Sequence, residues 1–192
     1  MIALRFRGPL GVGSFPTDPD GLDALAVPAV YLRLKRYAGG RLIAYAGQSG
    51  NLLARIDQHL TRLLSFSQPL RDAGGDAWFP ATREARYAAF NALDRTLDLA
   101  RAEAERVQFF HAPCEELFTP DLLTLAEAAL IAALKAGGRA CENRTGAPIA
   151  GLDRRIAFAP DYAALEAADA GLLASLIGPG PLVLSPPAFA DG

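Results

Sequence analysis

The sequence predicts an α+β domain, and three observations carry that expectation. Residues 28–59, PAVYLRLKRYAGGRLIAYAGQSGNLLARIDQH, alternate apolar and polar positions and then change to a helical repeat. They read as a strand, a glycine turn, a second strand and a helix. A further strand, Val107-Gln108-Phe109-Phe110-His111, follows a long helical stretch. The run LLTLAEAALIAALKA lies between a Thr119-Pro120 start signal and a Gly137-Gly138 stop, which frames another helix. A chain of 192 residues can bury a substantial core in one domain without disulfides or metals.

Taken in order, Ile2-Ala3-Leu4-Arg5-Phe6 alternates and suits a short strand. Residues 8–27 are rich in Gly, Pro and Asp and read as loop, with a helical turn around Leu22. The first strand of the hairpin spans about Ala29–Arg36. Val30, Leu32 and Leu34 then face one side, and Tyr31, Arg33 and Lys35 the other. Gly39-Gly40 supplies the positive φ that a tight hairpin needs. The second strand, about Arg41–Ala46, brings Tyr45 to the same side as Tyr31. Asn51 is the N-cap of a helix whose apolar positions are Leu52, Leu53, Ile56, Leu60, Leu63 and Leu64.

Residues 65–81 read as loop, and 82 to about 105 as a single helix capped near Thr82. Five arginines and five carboxylates balance along that helix, as on a solvated face with i,i+4 pairs. Residues 139–155 read as a polar loop carrying Asn143. A helix is expected over 161–177, and the tail PLVLSPPAF as an edge strand beside the N-terminal one. There is no internal repeat. Three regions follow: an N-terminal strand and loop (1–27), a core (28–145) with a helical insertion at about 65–105, and a C-terminal helix and tail (146–192) packed on the same domain.

Composition narrows the function. The net charge of −2 and pI near 5.7 count against a general nucleic-acid coat, whose affinity comes from neutralising phosphates. The charge is uneven, however. Residues 31–62 carry Arg33, Lys35, Arg36, Arg41, Arg55 and Arg62 against Asp57 alone, whereas 161–192 carry four acids and no base. Such a run is ordinarily a solvated strand face; beside a phosphate site it would steer an anionic ligand. Cys114 and Cys141 form no metal box, leave a disulfide open, and in a chain this size fit a reduced, cytoplasmic setting. The N-terminus has no apolar h-region of a signal peptide, and no stretch reaches the roughly 20 apolar residues of a membrane span.

The residues that carry chemistry cluster on the hairpin and on two helices. Either tyrosine alone is explained as a good strand former. Arg55 and His59 are four apart on one helix face, just after the glycine-rich strand exit, where an arginine can meet a phosphate. Glu127 falls inside the apolar stripe of Leu123, Leu130, Ile131 and Leu134. A carboxylate there either reaches water at the edge of the stripe or is paired or bound to a metal.

Taken together, Ala29-Val30-Tyr31, Tyr45-Ala46-Gly47, Arg55 ten residues after the second tyrosine, His59 four later, helical Glu127 and Asn143 resemble the GIY-YIG nuclease superfamily in order and spacing. The resemblance covers roughly residues 28–145. Ala29 and Ala46 replace a glycine and an isoleucine, Gln48 stands where some members have lysine, and the insertion after His59 is long. The resemblance implies a small antiparallel sheet of three strands flanked by helices. It also implies a divalent-metal-dependent endonuclease hydrolysing DNA phosphodiester bonds, one strand per site. Glu127 would hold Mg2+ or Mn2+, and Arg55 would grip the non-bridging oxygens. Tyr31 or Tyr45 would orient or deprotonate water with His59 as proton relay, and Asn143 would orient Glu127. Arg33, Lys35, Arg41 and Gln48 would contact the DNA backbone. The alternatives are a catalytically silent module of the same type that binds DNA or a protein partner, and an unrelated α+β protein. No sequence-reading motif is present, so targeting falls to the 65–105 insertion, a protein partner or a homodimer.

Overall fold

The computed structural model describes residues 1–79, 82–114, 119–143, 152 and 155–185. Its elements are β1 (Ile2–Arg5), β2 (Arg7–Leu10), α1 (Pro19–Asp23), β3 (Ala29–Arg36), β4 (Leu42–Ser49), α2 (Leu52–Leu64), β5 (Leu70–Arg71), β6 (Ala77–Phe79), α3 (Arg83–Asn91) and α4 (Leu93–Arg106). They continue through β7 (Val107–Pro113), α5 (Pro120–Ala136), β8 (Ala140–Cys141), β9 (Ile156–Asp161), α6 (Ala167–Ile177) and β10 (Leu182–Leu184). The fold is α+β with mixed sheets.

The main sheet runs β2-β7-β3-β4-β8. Its three long strands, β7, β3 and β4, are antiparallel, and short edge strands extend it to five rather than the three expected. β8 pairs parallel to β4, Ile43 opposite Ala140. A three-residue helical turn, Ala38–Gly40, joins β3 to β4, and Gly39 and Gly40 both take positive φ there.

The sheet is covered on both sides. On one face Val30, Leu32, Leu34, Ala44 and Ala46 pack with α5 and α6 in a core that reaches from Leu4 to Leu184. On the other, Ala29, Tyr31 and Phe109 pack with Leu52, Ile56 and Leu63 of α2 and Ala100 of α4. Burying one such leucine or phenylalanine contributes about 1.5–3 kcal/mol, so both cores matter to stability. The alternating β3 strand is therefore buried from Ala29 to Lys35, and its polar side is not solvated. The helices that cover it form as their caps dictate: Asn51 Oδ1 accepts from Ala54 N, and Thr119 Oγ1 from Leu122 N.

Several sequence expectations change, and the expected loops 8–27 and 139–155 contribute to the edge strands β2 and β8. The single helix over 82–105 is two, broken at Ala92 (φ −120°, ψ 49°). The buried Thr96 hydroxyl lies within hydrogen-bond distance of the Ala89 and Ala92 carbonyls and braces the break. The expected loop 65–81 contains the β5–β6 pair. Residues 156–161 form a strand, and helix α6 begins only at Ala167. β9 lies between β1 (parallel) and β10 (antiparallel), so the tail strand pairs with β9 rather than with β1. Its Pro160 falls near the end of the strand, where a missing N–H is tolerated. The rest of the expected tail strand and most of the loop after Asn143 lie outside the described residues. Among the described residues no helix is long and apolar enough to cross a membrane.

Candidate active site

The β3–β4 hairpin and α2 bring Tyr31, Tyr45, Arg55 and His59 into one cluster. β3 sets Tyr31 opposite Gly47 of β4, and the tyrosine ring lies over that glycine. A Cβ at position 47 would sit 2.4 Å from Tyr31 Oη, so only glycine fits there. This gives the third residue of Tyr45-Ala46-Gly47 a physical reason. The two tyrosine rings are 6.1 Å apart, and each meets His59 edge-on, at 5.6 Å and 5.5 Å.

Three hydrogen bonds tie the cluster. Tyr31 Oη lies 2.8 Å from His59 Nε2, Arg33 Nη1 lies 2.7 Å from His59 Nδ1, and Arg55 Nε donates to Tyr31 Oη at 3.1 Å. A guanidinium has donors only, so Nδ1 must accept from Arg33. Neutral His59 then carries its proton on Nε2 and donates it to Tyr31 Oη. Two N–H groups thus converge on that oxygen. The relay expected of His59 does not exist in this arrangement, because the nitrogen facing Tyr31 is already protonated and the other is taken by Arg33.

Burial and then the Arg33 charge push the His59 pKa down from 6.5 to about 3. Burial, followed by the neighbouring Tyr45, pushes Tyr31 well above the usual phenol range, with Arg55 opposing. Tyr31 is fully buried, while Tyr45 is partly exposed at the edge of a cleft.

A pH dependence of stability follows. The His59 pKa is depressed on folding, so the unfolded chain binds the extra proton between about pH 3 and 6.5. Stability is complete above about pH 6.5 and falls as pH drops through that window. His111, also buried and pushed down to about 4, adds in the same direction. Denaturation midpoints at pH 7.5 and 5 check this, and the midpoint at pH 5 is expected to be lower. An equal midpoint in the native protein, with His59→Gln also unchanged, would remove the buried neutral imidazole from the account.

Glu127 comes from the opposite face of the sheet, on α5. It is half-buried and accepts no hydrogen bond among the described residues. Burial raises its pKa, and the Arg55 guanidinium is near enough to oppose that rise. A carboxylate with free lone pairs beside an arginine is a fitting ligand for a hard divalent cation, which binds through oxygen. Among the described residues no group of three or more His, Cys, Asp or Glu gathers, at Glu127 or elsewhere.

Asn143 does something other than orient Glu127. Its Oδ1 accepts from Ala46 N at 2.9 Å and its Nδ2 donates to Ala46 O at 2.8 Å. The side-chain amide thus acts as one more rung on the β4 edge and holds the Tyr45-Ala46-Gly47 strand in place.

The four residues expected to meet backbone phosphates are distributed differently. Lys35 is 2% exposed and paired with Glu103 at 3.0 Å, so it is no surface contact. Arg33 is 6% exposed, paired with Glu142, and its guanidinium carbon lies 5.0 Å from the centre of the Tyr45 ring. Arg41 is exposed and bonded to Asp76 at 2.8 Å. Gln48 follows Ala44 and Ala46 in the strand alternation and so faces away from the tyrosines. Sequence reasoning missed Glu142, Arg71 and Gln68, which surround Arg33. They come from segments without periodicity, and only the adjacency of Glu142 to Asn143 pointed that way.

The chain matches no family model, no curated protein and no solved structure.

Proposed function

We propose that the protein is a divalent-metal-dependent phosphodiesterase acting on DNA, of the GIY-YIG type, with the antiparallel β7-β3-β4 strands as the core of that fold. The observation that carries this reading is the convergence of Tyr31, Tyr45, Arg55 and His59, with Glu127 on the other side of the sheet near enough to feel the charge of the same arginine. On this reading Tyr31 and Glu127, 96 positions apart in sequence, would act at one phosphate.

The roles divide by exposure. Arg55, partly exposed, offers its guanidinium to the non-bridging oxygens as charge builds in the transition state. Tyr31, buried and accepting two N–H donors, fixes Arg55 and His59 in place rather than meeting substrate. Tyr45, at the cleft, is the tyrosine that can orient the attacking water. A Mg2+ or Mn2+ ion held by Glu127 would supply Lewis acidity at the phosphate and the leaving oxygen.

The burial of Lys35 against Glu103 removes one cation from any DNA-facing surface, which favours the rival of a catalytically silent module. One assay decides. Purified protein with supercoiled plasmid and Mg2+ or Mn2+ is expected to give nicked circles before linear product, and a chelator is expected to stop it. No cleavage with either ion, across neutral pH and low salt, would leave the silent module standing.

A further inference from the structure

Next to the tyrosines lies a cleft of about 570 Å³, within the roughly 300–1,000 Å³ usual for small-ligand sites. Tyr45 and His59 form the wall it shares with the catalytic cluster, and Arg33, Arg62, Arg71 and Glu142 line much of the rest. Lys35 and Arg41 also face it. Among the described residues Glu142 is the single carboxylate in the lining, and it already serves Arg33 at 2.5 Å, Arg71 at 3.3 Å and Lys35 at 3.8 Å. Glu103 and Asp76 pair with Lys35 and Arg41 from outside the cleft, and positive charge still exceeds negative.

The donors are incompletely used. The Nε groups of Arg33 and Arg71 are buried and have no hydrogen-bond partner, although Arg33 is more than nine-tenths buried. Arg62 stands three residues after His59, on the same side of α2, and its guanidinium has neither ion pair nor hydrogen bond among the described residues. Buried N–H groups are ordinarily paired, and forked guanidinium donors match the geometry of a phosphate.

We infer that this cleft is a second phosphate subsite, where Arg62, Arg71 and Arg33 hold the phosphate of a nucleotide flanking the bond that is cut. That the nucleotide flanks the cut bond rests on the phosphodiesterase reading; the phosphate chemistry of the cleft does not. Glu142 holds the two guanidinium groups apart and oriented without cancelling their charge. Tyr45 offers a ring against which the sugar or base of the same nucleotide lies. The phosphate can come from the backbone of a bound strand or from a free mononucleotide, and both present the same oxygens.

The test is a binding titration of the full-length protein in chelator and low salt, so that nothing is cleaved. The probes are inorganic phosphate, thymidine 5′-monophosphate and a short single-stranded oligonucleotide. Binding is read from the NMR signals of the arginine Nε–H groups. Saturable binding of each probe is expected to move the Arg33 and Arg71 signals. Arg62→Ala is expected to weaken phosphate binding about tenfold, as the loss of a charge-assisted donor does. Glu142→Gln is expected to tighten it, because a competing anion is removed. Arg83→Ala, an exposed cation on α3, is the control and leaves it unchanged.

Binding strongest for the mononucleotide identifies a free nucleotide as the source, and binding strongest for the oligonucleotide identifies the backbone; either supports the subsite. The subsite is overturned if phosphate does not saturate, or if Arg62→Ala and Arg83→Ala behave alike. Failure of this inference is separable from failure of the enzymatic one. Phosphate bound here by a protein that cuts nothing keeps the subsite, whereas DNA cleavage without saturable phosphate binding overturns the subsite alone.

Discussion

Glu127→Gln is expected to leave a folded protein whose cleavage of plasmid DNA falls by at least about 100-fold, as losing the groups that stabilise developing charge does. The substitution keeps the shape of the side chain and removes the charge that would hold the ion. The stability outcome makes this more than a generic loss of function. Glu127 is half-buried, burial disfavours its ionised form, and it receives no hydrogen bond among the described residues. A neutral amide removes that burial cost, so the melting temperature is expected to hold or rise while activity disappears. That opposition is what a group retained for chemistry at some cost to stability produces. Thermal melting beside a plasmid time course in Mg2+ checks both halves. Undiminished cleavage would take Glu127 out of the mechanism, and a sharply lowered melting temperature would make it a structural residue.

Glu103→Ala is expected to be the most damaging single change to stability, by about 3–5 kcal/mol, the usual cost of removing one partner from a buried pair. Glu103 is fully buried on α4, where it accepts from Lys35 Nζ at 3.0 Å and from Tyr37 Oη at 2.9 Å, with Arg106 at 3.6 Å. Its removal strands Lys35, which is 2% exposed and left with only Glu142 at 3.8 Å. Burial already pushes the Lys35 pKa down, with the two glutamates resisting, so the orphaned lysine is expected to lose its proton or the helix its place. Replacing both partners together, Lys35→Met with Glu103→Leu, is expected to cost far less than the single change, because an apolar pair needs no compensation. Urea denaturation of Lys35→Met, Glu103→Leu and the double variant closes the cycle. Additive losses would mean that the pair is not energetically coupled.

The hairpin, α2 with its Asn51 cap, and α5 between Thr119 and Gly137 were legible because short-range rules suffice for them. Alternation, glycine at positive φ and a capping side chain act within a few residues. The cluster of Tyr31, Tyr45, Arg55 and His59 was legible for a related reason. A hairpin followed directly by a helix leaves few ways to arrange four side chains whose spacing is set by periods of two and four. Glu127 could be singled out as a carboxylate in an apolar stripe, though not what it faces. Strand β9 was hidden because its stability comes from β1, more than 150 residues earlier. The break at Ala92 was hidden because the Thr96 hydroxyl that braces it meets the Ala89 carbonyl only once the turn has formed.

By itself the sequence determined the α+β class, the order of the central elements and the company of two tyrosines, an arginine and a histidine. Charge was decided by the tertiary structure. On the page Arg33 and Lys35 are two more cations on a basic strand, and Glu103 is one of five carboxylates on a balanced helix. Packing α2 and α4 over the strand put all three inside, paired Lys35 with Glu103, and set Arg33 against His59. The physical reason is that alternation says only that these residues share a face. Whether that face meets water, DNA or a helix depends on what the rest of the chain lays over it, and a charge taken from water has to find its opposite there.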